Sequence, residues 1–78
     1  MSLSIPLGDL KPGETGVICG YQSRSALANR LRELGLVRGA RVTVKRVSPF
    51  GDPLEITIRG YSLSLRKKDA GEILIEKI

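Results

Sequence analysis

The chain contains no histidine and no tryptophan, and Cys19 is its only cysteine. Without histidine, every Ser-His or Cys-His nucleophile scheme is excluded. A lone cysteine cannot staple the fold, so the domain must stand on packing or on a partner. Nor can one such chain assemble a Cys/His zinc site, which wants four ligands. The only aromatic residues are Tyr21, Phe50 and Tyr61, too few for an evident base-stacking platform. No apolar run approaches the ~20 residues of a membrane helix, and the opening MSLSIPLGDL lacks the basic and apolar regions of a leader. The expectation is a soluble, cytoplasmic chain that is not an enzyme and does not insert into a membrane.

What is present fits one small domain over residues 1–78. Area scaling gives roughly 4,700 Å² of folded surface against about 12,000 Å² unfolded, enough for one thin core and too little for a deep cleft. Hydrophobic residues at 41% and charged residues at 27% argue against disorder. Thirteen Lys and Arg against eight Asp and Glu leave a net charge of +5. That balance raises nucleic acid, phosphate or an acidic protein face as partners, although solubility alone can account for it.

Along the chain, Leu7 and Leu10 read as anchors of a Gly- and Pro-rich lead-in of turns over 6–13. A short β-segment at 16–21 follows, and its glycines suggest a bend or a close backbone approach. Residues 23–34 form the one convincing helix. Ser23 or Ser25 can cap it, Leu27, Leu31 and Leu34 make one apolar stripe, and Gly35 ends it. From Gly39 the apolar period drops to two: Val42 and Val44, then Leu54, Ile56 and Ile58, then Tyr61, Leu63 and Leu65, alternate with polar residues. Residues 67–71 read as a short polar turn or a single helical turn, and 72–78 as a closing strand. The expected fold is mainly β: a small five-stranded SH3-like barrel, with one helix between the first and second strands lying across an opening.

Candidate chemistry is sparse. Asp9, Glu14, Asp52, Glu55, Asp69 and Glu72 lie near turns with nothing in their spacing to pair them for acid–base work. They read as solvated charges, Asp52 as bonding its own turn backbone. Cys19, flanked by Val17, Ile18, Gly20 and Tyr21, reads as a small buried apolar residue. The segment 12–16 lacks a phosphate-loop pattern and precedes a strand rather than a helix. Arg66, Lys67 and Lys68 form the densest basic cluster, read either as a hydrated turn or as a contact for an acidic partner.

Three fragments together are more specific: LRELGLVRG at 31–39, VSPFGDPL at 47–54 and SLSLRKKDA at 62–70. In that order, after a lead with Leu7, Leu10 and Gly13, they resemble the FeoA family, the small cytosolic component of bacterial ferrous iron transport. Arg38 stands where that family commonly has proline. The resemblance covers essentially the whole chain and implies an SH3-like barrel that assists the membrane permease FeoB, whose cytosolic part carries a GTPase. It also implies kinship with the C-terminal domain of repressors of the diphtheria toxin repressor kind, although the length excludes a complete repressor. Transition-metal binding attaches to the family, but no His or Cys cluster supports it here, so Fe²⁺ association is expected to be indirect and no cofactor is expected.

The reading that follows is an accessory binding module of ferrous iron uptake that docks on and regulates FeoB, recruited to the inner membrane face by that partner. The alternative is a basic SH3-like nucleic-acid-binding module or a detached repressor domain. No stable nucleic-acid complex is expected under the leading reading, and self-association is left open. The candidate partner-binding residues are Arg24, Arg30 and Arg32 around the helix, Arg38 in a glycine turn, and Arg66, Lys67 and Lys68. Arg24 and Arg38 are also the most reachable for an arginine finger, a less favoured version.

Overall fold

The period-two segments after Gly39 pair as they alternate. In the computed structural model, which describes residues 3–50 and 52–78, β3 (Arg41–Val47), β4 (Leu54–Ile58) and β5 (Tyr61–Leu65) form an antiparallel meander. Val42 and Val44 lie opposite Ile58 and Ile56, all four fully buried or nearly so. Arg59 and Gly60 both take positive φ, 49° and 84°, the two-residue hairpin turn whose twist suits adjoining strands. On the other side of β3 lies β2 (Thr15–Tyr21), then β6 (Ile73–Lys77), then β1 (Ser4–Pro6), giving the sheet order β1-β6-β2-β3-β4-β5.

Among the described residues the strand count is therefore six, where the sequence suggested five. The extra strand, β1, pairs Ile5 with Ile75 but is three residues long, too short for alternation to show. Leu7, in a 3-10 turn over Leu7–Asp9, and Leu10 are buried anchors as expected. Inward-facing residues of β2, β3, β4, β5 and β6 join one hydrophobic cluster with them.

Strand β2 needs its first glycine. A Cβ on Gly16 would stand 2.7 Å from Ile75 Cδ1 and 3.2 Å from the Glu76 carbonyl oxygen. Only a residue without a side chain lets β2 approach β6 at that point.

Helix α1 (Ala26–Glu33) is shorter than the 23–34 expected, because Ser25 rather than Ser23 caps it, its Oγ accepting the Ala28 N–H at 3.2 Å. Leu31 enters the core cluster and Leu27 packs half-buried against it, but Leu34 is 42% exposed. The helix ends before that third leucine can turn inward. Gly35 takes φ 101°, its N–H donates to the Arg32 carbonyl, and the Leu36 N–H donates to the Leu31 carbonyl. This pair of bonds ends helices through a left-handed glycine and sets Leu36 against Leu31. Leu36, fully buried, takes the place in the core expected for Leu34.

Residues 67–70 take the helical-turn alternative, as α2 (Lys67–Ala70), with Ala70 fully buried. One further expectation is corrected. Tyr61 shares the parity of Leu65 but is 43% exposed, its hydroxyl donating to the Leu34 carbonyl.

Candidate partner-binding groove

The candidate residues separate into two regions. Arg24, Arg32 and Arg38 line one groove of about 660 Å³ over the end of β2, with Tyr21, Gln22, Ser23 and Leu74. Arg30 lies exposed on α1 outside it. Arg66 borders a separate hollow of about 320 Å³ with Asp52, Pro53 and Ser64, and Lys67 and Lys68 are exposed beside it on α2.

The groove follows from a break in the strand. Pairing of β2 with β6 shifts register between Ile18 and Gly20, the signature of a bulge, which bends a strand and re-aims its side chains. Cys19, at that shift, is half-buried rather than buried as the sequence suggested. Gly20 then forms bare floor: a Cβ there would stand 3.9 Å from Arg38 Nη2. Beyond Tyr21 the chain is tied down. The Gln22 N–H donates to the Glu72 carbonyl at 2.8 Å, Gln22 Nε2 donates to the Gly71 carbonyl at 2.6 Å, and Ser23 Oγ donates to Glu72 Oε2 at 3.1 Å. These bonds fix the loop that presents Arg24.

The other two arginines are braced differently. Arg38 Nε donates to the Cys19 carbonyl at 3.0 Å. The Arg32 guanidinium carbon lies 4.6 Å from the centroid of the Tyr21 ring, and its Nη1 donates to Asn29 Oδ1 at 3.0 Å. A guanidinium over an aromatic face is attracted by the ring's negative centre. Tyr21 itself donates its hydroxyl proton to the Leu36 carbonyl. Burial pushes that hydroxyl's pKa above its usual value, with the Arg32 charge acting weakly against the rise.

Among the described residues the ion pairs are Lys45 and Arg46 with Glu55, at 3.9 and 3.3 Å, and Lys77 with Glu14. None of the seven candidate cations has a carboxylate within pairing distance among them. Glu72, held by Ser23, is the acidic residue at the groove's rim. Asp52 does not close its own turn through its side chain. Its Oδ1 accepts the Lys67 N–H at 2.9 Å, joining the β3–β4 loop to α2 across fifteen residues. The expectation for Asp52 is corrected accordingly.

The residues present do not fit a metal centre. Among the described residues no three His, Cys, Asp or Glu side chains gather where they could share an ion, and the sole thiol lies among arginines, which repel cations. Among the described residues no helix is long and apolar enough to cross a membrane.

Gly20, Tyr21 and Leu74 escaped the sequence reading as parts of a site. Gly20 carried a signal, since a glycine inside a strand marks a bulge or a close approach. Tyr21 and Leu74 carried none, because their neighbours become visible only when β2, α1 and β6 are placed together.

The antiparallel sheet with α1 set between β2 and β3 is a fold of the SH3-like class. The FeoA domain family model matches residues 5–77, and the chain belongs to that family. It is 36% identical over 72 residues to an Fe(2+) transport protein A/Fe(2+) transporter FeoB fusion protein of Porphyromonas gingivalis, a match covering 92% of this chain. The chain spans only 8% of the length of that relative. A FeoA-like protein of Clostridium acetobutylicum superposes with TM-score 0.93 and 33% identity, over 100% of this chain and 91% of the other. FeoA of Stenotrophomonas maltophilia, solved with zinc and described as an unusual procaryotic SH3 domain protein, gives TM-score 0.78 and 28% identity over 95% and 89% of the two chains.

Proposed function

We propose that the chain is a cytoplasmic accessory module that docks on a FeoB-type ferrous iron permease and regulates its GTPase part. The observation that carries this reading is the 36% identical relative, which joins an Fe(2+) transport protein A and a FeoB transporter in one chain. Fusion holds two modules at high effective concentration, which is useful where the separate modules meet by docking. Fe²⁺ is the cargo of the permease in this reading, and among the described residues no ligand set gathers to receive it. The chain supplies contacts and charge, not a reaction of its own.

Docking is favoured over an arginine finger. Arg38 is occupied with the Cys19 carbonyl and Arg32 with Tyr21 and Asn29, so both are built as fixed walls. Of the three groove arginines, Arg24 alone has no side-chain bond among the described residues. The test is capture of the cytosolic GTPase part of a FeoB permease by the purified chain, with GTP turnover followed in parallel. Binding that survives mild washing and changes turnover supports the reading. Absence of binding in every nucleotide state overturns it. A finger would show differently, since its loss lowers turnover by about 10³–10⁵-fold with affinity nearly intact.

A further inference from the structure

Three arginines around one open groove, two of them braced and the third carried on a tied loop, none paired with a carboxylate among the described residues, constitute a binding surface of definite chemistry. We infer that this groove takes an extended, carboxylate-bearing segment of the docking partner, held by Arg24, Arg32 and Arg38. The inference rests on the docking reading and adds the surface and the ligand class.

Charge complementarity is the first argument. Guanidinium groups present a planar fork that matches a carboxylate with two parallel hydrogen bonds, and they desolvate more readily than ammonium groups. Arg32 and Arg38 are also braced before any ligand arrives, which lowers the ordering cost of binding. By contrast Arg66, Lys67 and Lys68 lie exposed and border a smaller hollow that Asp52 already lines.

The shape of the groove selects among anions. Its 660 Å³ is in the range of sites that enclose ligands much larger than a single oxyanion. The arginines are anchored at separate points, Arg38 on Cys19, Arg32 on Tyr21 and Asn29, and Arg24 on the loop after Gln22. They therefore line the groove from separate points of attachment. The floor is the bare backbone of Gly20 and the side chain of its register partner Leu74, which suits a peptide backbone with apolar as well as acidic side chains.

Nucleic acid fits less well. Single strands are held by stacking on open aromatic faces, and the one aromatic ring in the groove already lies beneath Arg32. Tyr61 is engaged with Leu34, and Phe50 lies in the loop between β3 and β4, outside the groove.

The experiment is a titration of the isotopically labelled whole chain with hexaglutamate, followed by amide NMR, with inorganic phosphate and a short oligothymidylate as parallel probes. Hexaglutamate should shift the amides of Gly20, Gln22, Ser23 and Arg24, and leave those of 66–68 nearly still. Arg24→Ala, which removes no side-chain hydrogen bond or ion pair among the described residues, should weaken binding by about tenfold, the size of one charge-assisted pair. Arg24→Lys should recover only part of it, because the fork is lost. A Lys67→Ala/Lys68→Ala double variant should bind as the parent does. Shifts centred on 66–68, equal binding by Arg24→Ala, or saturation by phosphate or oligothymidylate but not by the peptide would each overturn the proposal. Capture of the permease part separates the two levels. If it binds the parent and Arg24→Ala equally, the groove assignment fails and docking stands. If hexaglutamate binds the groove but the permease part does not bind at all, docking fails and the groove's chemistry stands.

Discussion

Gly16 carries more of the fold than its lack of a side chain suggests. Any Cβ there meets Ile75, which is fully buried and cannot swing aside, and the Glu76 carbonyl oxygen, which is backbone. Gly16→Ala should therefore destabilise by about 1–3 kcal/mol, the usual cost of overpacking a filled site. Gly8 is the control. A Cβ there meets nothing nearer than Ala70 Cβ at 3.8 Å, so Gly8→Ala should be neutral or slightly stabilising by entropy. Paired thermal melts decide the point, and equal effects at both positions would contradict it.

Also at residue scale, Glu14 accepts a bond from Lys77 and the Lys11 N–H at 2.7 Å. The Lys77 bond first, and the Lys11 bond next, hold its carboxyl below the ordinary glutamate value. The unfolded chain therefore takes up this proton before the native state does. Its contribution is complete above the ordinary glutamate pKa and is lost as pH falls through the lowered native value. Stability profiles of the parent and Glu14→Gln should thus converge in acid, and a gap that stays constant down through that range would contradict the assignment.

At the scale of elements, the helix shows what periodicity can and cannot give. The positions i, i+4 and i+7 placed Leu27, Leu31 and Leu34 on one stripe, and two of them do face the core. The third does not, because the left-handed Gly35 that marked the helix end also redirects the chain there. Reading the glycine as a terminator was right, but its second effect, exchanging Leu34 for Leu36, depends on bonds from Leu36 to Leu31 and from Gly35 to Arg32. Leu31→Ala and Leu36→Ala should each cost about 2–5 kcal/mol, whereas Leu34→Ala should cost far less. Chemical denaturation of the three variants checks this ordering. Comparable losses in all three would restore the simple stripe.

The meander was legible for a clear reason. β4 buries one parity completely and β3 does so up to the register shift after Val44, so the sequence records the pleat. Element β1 was not legible, being three residues stapled to β6, and α2 is capped by Asp52 from fifteen residues away. Neither interaction leaves a local pattern.

The whole molecule presents +5 of net charge, but function depends on where that charge collects. All seven candidate cations were visible in the sequence, yet nothing in their spacing separated Arg24, Arg32 and Arg38 from Arg30, Arg66, Lys67 and Lys68. The division is made by the β2 bulge, the loop tied to Gly71 and Glu72 just ahead of β6, and the turn that carries Arg38 back to Cys19. An electrostatically steered partner should associate faster and more tightly at low ionic strength, with the effect screened beyond about 10 Å at 0.1 M salt. The central claim, that this FeoA-family chain docks through charge on a FeoB-type permease, is tested most directly by calorimetric titration of the permease's cytosolic GTPase part at low and high salt. The account requires stoichiometric binding at low salt that weakens as salt is added and weakens again in Arg24→Ala. Binding indifferent to both salt and Arg24, or no binding at low salt, would contradict it.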